Sequence, residues 1–502
     1  MSENSHPLVI AVDCSTSAAK AVVADETGRV IAAGHAGLRT HQPQAGFHEQ
    51  DATAWLQATT DAVSGAVAAL PTAERARIAA LSITHQRESF VLLDEAGAPM
   101  RPAVLWVDSR AHAEIAALGA QRLPDGRTVH ETSGKPPDTT PAIYKIAWLN
   151  AHEPETLHAA AHIADVQAYL SLHLTGNLAT SFASADTLGL SDLEREEWSP
   201  DLVAAVGLRL DQLPTMVAGG ESLGMVRDDI ARQWGLPGPI PLVAGIGDGQ
   251  SAGLALGITE PGVAYLNLGT SMVCGLSSDT YLTSPAFRTL AGVRQGTYVL
   301  ETVLNAAAYV ANWTAEFVGS DVHEMETAAA DIPAGAEGLL VLPYWNAAQT
   351  PYWDPLARGA VVGWHGRHTP AHLYRAVLEG VAFELRLQLD LLEQATGSSI
   401  TELRAVGGGA RSELWAQIVA DVTGREVRVC SAGEISAAGA IVGALEYLGV
   451  GDAVAHCVAT ATEGSRLIEP GPATTEYGRL FDVYRGLYPA LRETFQRLES
   501  AG

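Results

Sequence analysis

The sequence predicts an α/β fold made of two similar halves, and three observations carry that expectation. Short β-rich runs alternate with longer stretches of helical spacing. The chain opens on three successive strand patterns joined by tight turns, a β-meander. The opening motif Val12-Asp13-Cys14-Ser15-Thr16-Ser17 also has an echo in mid-chain, Leu266-Asn267-Leu268-Gly269-Thr270-Ser271. In both, an apolar strand ends in Asp or Asn, and Thr-Ser follows three and four residues later, at the start of each half.

In chain order, residues 8–13 (LVIAVD) read as a buried strand, 20–25 as its hairpin partner and 30–35 as a third strand after the turn Glu26-Thr27-Gly28. Residues 51–70 have helical spacing, with Asp51 placed to cap the start and Trp55, Leu56, Val63, Val67 and Leu70 forming an apolar stripe. Strand character returns over 78–83 and 90–93, the second ending in the turn Asp94-Glu95-Ala96-Gly97. Pro237-Gly238-Pro239-Ile240-Pro241 leads into a strand over 242–245, and Thr259-Glu260-Pro261-Gly262 breaks the chain near 260. The boundary between halves is therefore placed so that they span 1–255 and 256–502. Later, 403–406 reads as a strand, Gly407-Gly408-Gly409 as a turn, and a helix starts at Ser412 with Leu414, Trp415, Ile418 and Val419. Residues 477–498 read as one amphipathic helix through Leu480, Phe481, Tyr484, Leu487 and Leu491.

Composition sets the outer limits. With 502 residues, 47% of them hydrophobic, the chain is long enough for two to four domains and too apolar to be disordered. Its 57 acidic against 31 basic residues give a net charge of −26, which repels duplex nucleic acid but leaves room for a phosphorylated ligand in a local pocket. The four cysteines (Cys14, Cys274, Cys430, Cys457) lack CxxC spacing, so neither a disulfide framework nor structural zinc is expected, and a reducing cytoplasm is the natural setting. The start MSENSHPLVIAVD has no basic segment followed by a long apolar one, so no signal peptide is expected. No apolar run approaches the roughly 18 residues of a membrane span.

The two echo hairpins offer chemistry. Tight turns expose N–H groups and hydroxyls that can cradle phosphate oxygens, and one hairpin from each half would grip a triphosphate from two sides. Asp13, at a strand end, can hold a hydrated magnesium ion, which favours carboxylate and phosphate oxygens. Lys20 is either a phosphate contact or a solvated turn lysine. In Val243-Ala244-Gly245-Ile246-Gly247-Asp248-Gly249-Gln250-Ser251-Ala252, a strand runs through glycines into an acidic residue at the start of a helix. Asp248 is then either an ordinary helix cap or a general base for phosphoryl transfer. The Gly407-Gly408-Gly409-Ala410-Arg411-Ser412 turn has the strand–glycine–helix form of a nucleotide site, without the Lys of a Walker A loop or the GxGxxG spacing of a dinucleotide site.

Together these features resemble the FGGY carbohydrate kinases, within the actin, hexokinase and heat-shock ATPase superfamily. The resemblance spans nearly the whole chain. It rests on Asp13-Cys14-Ser15-Thr16-Ser17 with Lys20, Gln86-Arg87-Glu88, Leu105-Trp106-Val107-Asp108-Ser109-Arg110, Lys145-Ile146-Ala147-Trp148-Leu149 and Leu174-Thr175-Gly176. It continues through Gly245-Ile246-Gly247-Asp248, Gly269-Thr270-Ser271, Pro351-Tyr352-Trp353-Asp354-Pro355 with Arg358-Gly359, and 407–412. The resemblance implies two actin-like (ribonuclease H-like) domains with an interdomain cleft, ATP mainly on the second and sugar mainly on the first. It also implies Asp13 as the acid associated with Mg2+. Thr16, Ser17, Lys20, Gly269 and Thr270 are then the phosphate-side residues, Gly408, Gly409 and Arg411 the adenosine motif, and Asp248 the catalytic base. A homodimer is common in the family.

The sugar side of the resemblance is divided. Thr84-His85-Gln86-Arg87-Glu88-Ser89 is similar to the substrate loop of glycerol kinases, where Arg and Glu bind polyol hydroxyls. An ordinary surface ion pair is the alternative for Arg87 and Glu88, and His85 is either a pocket residue or a packed loop histidine. Two positions depart from glycerol kinases: Thr140 replaces an aromatic five residues before Lys145, and Gly249 replaces a Gln after Asp248. Both changes leave room for an acceptor larger than glycerol. Xylulose kinases usually carry Gln-Met-His in place of Gln86-Arg87-Glu88, yet Gly46-Phe47-His48-Glu49-Gln50-Asp51 with Trp55, and the 105–110 segment, are similar to theirs. Gln86, Arg87, Glu88, Trp106, Asp108 and Asp248 are the expected sugar ligands, with Trp106 lining or supporting the pocket. The expected acceptor is a five-carbon ketose, D-xylulose first, with glycerol or another polyol as the alternative. An actin-like chaperone or filament ATPase would share the two hairpins but has no need of a Gln-Arg-Glu loop or the Trp106–Arg110 motif.

Overall fold

A computed structural model describes residues 6–430 and 435–501; of the N-terminal stretch read above, residues 1–5 lie outside it. Two mixed sheets organise the chain. The first orders its six strands as Ser222–Met225, Pro241–Val243, Ile78–His85, Leu8–Cys14, Ala18–Ala24 and Val30–Gly37. The second has seven: Arg466–Ile468, Glu426–Val429, Glu402–Val406, Val263–Leu268, Met272–Ser278, Tyr298–Leu304 and Arg288–Ala291.

Laid side by side, the sheets repeat one another. Each has an antiparallel meander whose first strand pairs in parallel with a distant strand, then a second parallel neighbour, then an antiparallel edge. Asp13 and Asn267 occupy the same place, near the end of the central strand, opposite Lys20 and Val273 respectively. The six-residue echo is thus the visible part of a whole-domain repeat. Among the described residues, the strand Arg288–Ala291 is the one member of the second sheet without a counterpart in the first.

The local elements follow from their residues. Asp51 caps the helix Ala52–Ala68 by accepting the N–H of Thr53 at 2.9 Å, and Trp55, Val63 and Val67 bury the apolar stripe against the first sheet. The strand expected over 242–245 is Pro241–Val243. An insertion in the first half, with its own core around Phe90, Val104, Tyr144 and Leu190, carries Trp106 and Lys145.

The helix expected over 477–498 is two helices, Thr474–Tyr484 and Leu487–Ala501. Pro489 has no N–H to donate to the carbonyl of Arg485, so a single helix cannot run through. Both pack on their own half. Tyr477 and Tyr484 donate to Glu379 and Glu384 at 2.7 Å each, and Tyr488 donates to Asp354 at 2.6 Å.

The chain also crosses back. The helix Ile435–Tyr447 lies after the second sheet's parallel strands, yet Ala440, Ile441 and Ala444 pack with Val9, Ala11 and Val22 of the first sheet. It lies against the helix Asp248–Ala255, which follows the equivalent strand of the first sheet. All four cysteines are buried free thiols, and among the described residues no helix is long and apolar enough to cross a membrane.

The contact between these two equivalent helices depends on Gly439, where a Cβ would come within 2.7 Å of the Ser251 Cα. Overpacking at such a site costs about 1–3 kcal/mol. Gly439→Val should therefore lower the unfolding free energy by that order, read as a lower urea midpoint; an unchanged midpoint would show that the two helices are free to part.

Candidate active site

Three loops leave the carboxyl ends of parallel strands, where α/β sheets present ligand sites. From the first sheet, Ile78–His85 leads into Gln86-Arg87-Glu88 and Pro241–Val243 leads to Asp248; from the second, Glu402–Val406 leads into Gly407-Gly408-Gly409. They meet at a cavity of about 640 Å³ between the halves. Arg87, Glu88, Trp106, Asp138, Thr140 and Asp248 line it from the first half. Gly269, Thr270, Arg288, Glu301, Gly408 and Arg411 are among those lining it from the second.

Asp248 is the first residue of its helix and does not cap it: the cap position is Gly247, and the Asp248 carboxylate instead accepts the N–H of Gly249 at 2.8 Å. The cap alternative therefore falls. Burial raises the Asp248 pKa above its ordinary value, and the nearby Arg87 charge and the Gly249 N–H only partly offset that. A carboxylate shifted upward beside a cavity is suited to taking a proton.

Around it runs a chain of buried charges. Arg87 donates to Gln250, faces Asp186 at 3.3 Å and lies 3.4 Å from Glu88. Arg288, from the second sheet, lies 3.5 Å from Glu88 and donates through Nε to Glu301 at 2.6 Å. Burial alone would raise the Glu88 carboxyl; the Arg87 and Arg288 guanidiniums more than reverse it and hold the group below its ordinary value. Lys135, fully buried, donates to Asp186 at 3.0 Å and to the Thr289 carbonyl at 3.3 Å. The surface ion-pair alternative for Arg87 and Glu88 thus fails, since both are over nine-tenths buried. Glu88 also has φ 51° and Trp353, on the same cavity, φ 46°; non-glycine residues in this region cost of order 1–3 kcal/mol and cluster at functional sites.

Several expected ligands stand away from the cavity wall. Gln86 is buried and accepts from Thr16 at 3.2 Å and from Ser89 at 3.0 Å. The Thr16 hydroxyl in turn accepts the indole N–H of Trp106 at 2.9 Å. Thr16 and Gln86 therefore anchor Trp106 rather than face the cavity. Asp108 is fully buried, with its carboxylate accepting from Arg110 at 2.8 and 2.7 Å and from the His48 N–H at 2.6 Å. That full set of donors corrects its expected role as a sugar ligand. Asp13, Ser17 and Lys20 lie on the first hairpin outside the lining, and Gly409 packs so close to Trp415 that a Cβ would come within 2.7 Å of its ring. His85 is a packed loop histidine, bonded to the Gln86 carbonyl and the Ser184 hydroxyl at 2.8 Å each.

Lys145 is buried and donates to the carbonyls of Leu105, Trp106 and Thr140 at 3.0, 2.8 and 2.8 Å. Burial pushes its ammonium down to about 8. It fastens two cavity-lining residues, Trp106 and Thr140, from behind. The room expected at Gly249 is also taken: a Cβ there would lie 3.2 Å from Glu301 Oε2. Arg288 and Glu301 escaped the sequence reading, although one signal was present: each is a lone charge in an otherwise apolar strand pattern, FRTLA and YVLETVL.

On the second half, the turn of the hairpin is braced by the N–H groups of Ala307 and Tyr309, which donate to the Thr270 carbonyl at 2.9 and 3.2 Å. The Thr270 side chain is left exposed to the cavity. For a magnesium ion the chemistry of Asp13 fits: it is a carboxylate near the carboxyl end of the central strand, and such an ion keeps most of its waters.

The model of the FGGY family of carbohydrate kinases, N-terminal domain, matches residues 8–255, and that of the C-terminal domain matches 264–445. A xylulose kinase of Escherichia coli (strain K12) is 32% identical over 497 residues, covering 98% of each chain. One from Streptomyces coelicolor is 33% identical over 464 residues, covering 91% of each. Among solved structures, a kinase from Brucella ovis, described as a xyloylose kinase, superposes with a TM-score of 0.89 at 29% identity. That superposition covers 97% of this chain and 100% of the other.

The glycine turn gives a test. A Cβ at Gly407, whose φ is 96°, would lie 2.7 Å from the Leu268 carbonyl, whereas at Gly408 it would meet nothing within 4 Å. Gly407→Ala should lower stability by at least about 1–2 kcal/mol, while Gly408→Ala should stay within about 0.5 kcal/mol. Denaturant titration of the two variants reads the difference; equal losses would refute the geometry of the turn.

Proposed function

The chain belongs to the FGGY family of carbohydrate kinases, and on that premise we propose that it transfers the γ-phosphoryl group of ATP to a terminal hydroxyl of a small ketose, D-xylulose yielding D-xylulose 5-phosphate. One observation carries the chemistry: Asp248, raised in pKa, lines one cavity together with the Arg87–Glu88 pair and Thr270 of the second hairpin. A base between hydroxyl-binding charges and a phosphate-type turn is the arrangement phosphoryl transfer needs. Support for the ketose comes from the full-length similarity to xylulose kinases.

Asp248 takes the proton from the acceptor hydroxyl. The freed oxygen forms its bond to the γ-phosphorus as the bond to the ADP oxygen breaks. Arg87 and Glu88 orient the sugar hydroxyls, and Trp106 packs against the acceptor. Thr270 and the Gly269 turn face the outer phosphates, and Gly408 with Arg411 faces the adenosine. Asp13 would be the residue to hold magnesium, which would supply neutralisation of phosphate charge. The acceptor lies mainly on residues 1–255 and the nucleotide mainly on 256–502. The four buried, unbridged thiols suit a reducing cytoplasm. A polyol such as glycerol is the second reading, favoured by the Gln86-Arg87-Glu88 loop itself.

An ADP-release assay across D-xylulose, L-xylulose, ribulose, glycerol, erythritol and xylitol tests the acceptor; turnover of glycerol without D-xylulose would overturn the ketose. Asp248→Asn should cut turnover by about 10²–10⁴-fold while acceptor binding, read by calorimetry, survives. The base must be deprotonated to act. Its raised pKa therefore places the acid limb of kcat/KM above the ordinary carboxylate value of about 4. A limb at or below that value would remove Asp248 from the role.

A further inference from the structure

We propose that Arg288 and Glu301, both from the second half, form an arm of the acceptor pocket, with Arg288 acting as the positioning residue for Glu88. This rests on the kinase reading above and adds to it that the sugar or polyol is gripped by both halves rather than by the first alone.

The geometry gives the arm its reach. Arg288 sits on the strand Arg288–Ala291, the strand the first sheet lacks, and both it and Glu301 line the cavity. Its guanidinium bridges two carboxylates: Nε donates to Glu301 at 2.6 Å and Nη1 lies 3.5 Å from Glu88 Oε1. Glu301 is fixed from its other side by the hydroxyl of Tyr265, which is itself buried. The second half therefore presents a braced pair, not a loose arginine.

The first half is shaped to receive it. Glu301 Oε2 lies 3.2 Å from where a Cβ of Gly249 would be, so Glu301 approaches the backbone beside Asp248 closely and a side chain there would press on it. Glu88 lies between two guanidiniums, Arg87 at 3.4 Å and Arg288 at 3.5 Å, on backbone with φ 51°. With Arg87 held by Gln250 and Asp186, Arg288 is the partner that comes to Glu88 from across the cavity.

The chemistry selects a class of ligand. Carboxylates accept only and guanidiniums donate only, and at this end of the cavity they alternate: Asp248, Arg87, Glu88, Arg288, Glu301. A compound with a hydroxyl on each successive carbon both donates and accepts at every position, so it satisfies such an array. An anionic acceptor would face Glu88, Glu301 and Asp248 without an arginine left unpaired by a carboxylate.

The test separates Arg288 from general damage. Removing Arg288 alone would take one of its cationic neighbours from Glu88 and leave Glu301 without a guanidinium, so the variants are Arg288→Lys and the double change Arg288→Met with Glu301→Gln, each checked by thermal melting. Kinetics use an acceptor that the wild-type enzyme turns over. The double variant should raise the acceptor KM at least tenfold, leave the ATP KM within twofold and lower kcat less than the acceptor KM rises. Arg288→Lys should fall between it and the wild type, and adding Glu88→Gln to the double variant should cost less than Glu88→Gln costs in the wild type. An acceptor KM within twofold of wild type, or acceptor and ATP KM values rising together, would overturn the arm. A wild-type enzyme that turns over no sugar or polyol would instead overturn the kinase reading beneath it.

Discussion

Everything at the centre of this molecule is arranged around one line of buried charge: Lys135, Asp186, Arg87, Glu88, Arg288 and Glu301, alternating in sign across the gap between the two halves. Taking any one of these groups out of water is expensive, and the expense is recovered only if both neighbours are in place. The line therefore fixes more than itself. Asp186 accepts the Ala291 N–H at 3.0 Å and Lys135 donates to the Thr289 carbonyl, so the same charges pin the strand Arg288–Ala291 to the first half. Moving the halves apart would strand charges on both sides, and this makes the acceptor end of the cavity the firm end. Among the described residues, the wall of the second half at Gly269, Thr270, Gly407 and Gly408 is built from glycine turns and an exposed Thr270 rather than from paired charges.

The repeat explains how one architecture supplies two unlike sites. After the first parallel neighbour of the central strand, the first sheet continues into Gln86-Arg87-Glu88 and the second into Gly407-Gly408-Gly409. After the next parallel strand, the first continues to Asp248 at a helix start and the second to the helix Ile435–Tyr447. The same carboxyl-end position thus carries charged side chains in the first half and bare backbone in the second, which is the division the proposed acceptor and nucleotide sites need. Glycine at 407 is required because the Leu268 carbonyl lies against it; glycine at 408 leaves that stretch of the cavity wall open. The repeated helices then pack on each other through Gly439 and Ser251, so the element that Asp248 begins is held against the second half.

Local signals in the sequence were sufficient for the strands of the first meander, the Asp51 cap, the second hairpin and the helix after Ser412, because each is set by neighbours a few residues away. Asp248 was legible for the same reason: glycines on one side and a small-residue helix on the other. What failed was anything decided by distant chain. Thr16 and Gln86 carry the right motif, but the insertion brings Trp106 onto the Thr16 hydroxyl, and no spacing in the first hairpin foretells that. Asp108 looks like a free sugar ligand until Arg110, two residues on, and the His48 N–H are found on it. The reading of Gly249 as spare room failed because Glu301, fifty-two residues later, fills it. Arg288 lies two hundred residues from Glu88, and only the folded second sheet brings them together.

The net charge of −26 makes one further demand on the cavity. Its lining holds three arginines, Arg87, Arg288 and Arg411, against four carboxylates, Glu88, Asp138, Asp248 and Glu301. Two of those arginines are already committed to carboxylates, which leaves Arg411 as the remaining arginine among the described lining residues. A triphosphate entering there gains nothing from long-range attraction, since the field of the whole protein has the wrong sign. In the proposed reaction short-range groups would have to hold it instead, such as the backbone N–H groups of the glycine turns and the Thr270 hydroxyl. The same field has a use. An acidic body repels free polyphosphate and other anions alike, so binding is confined to ligands that meet the turn geometry. The neutral polyhydroxyl partner is selected separately, at the end where the charges are paired.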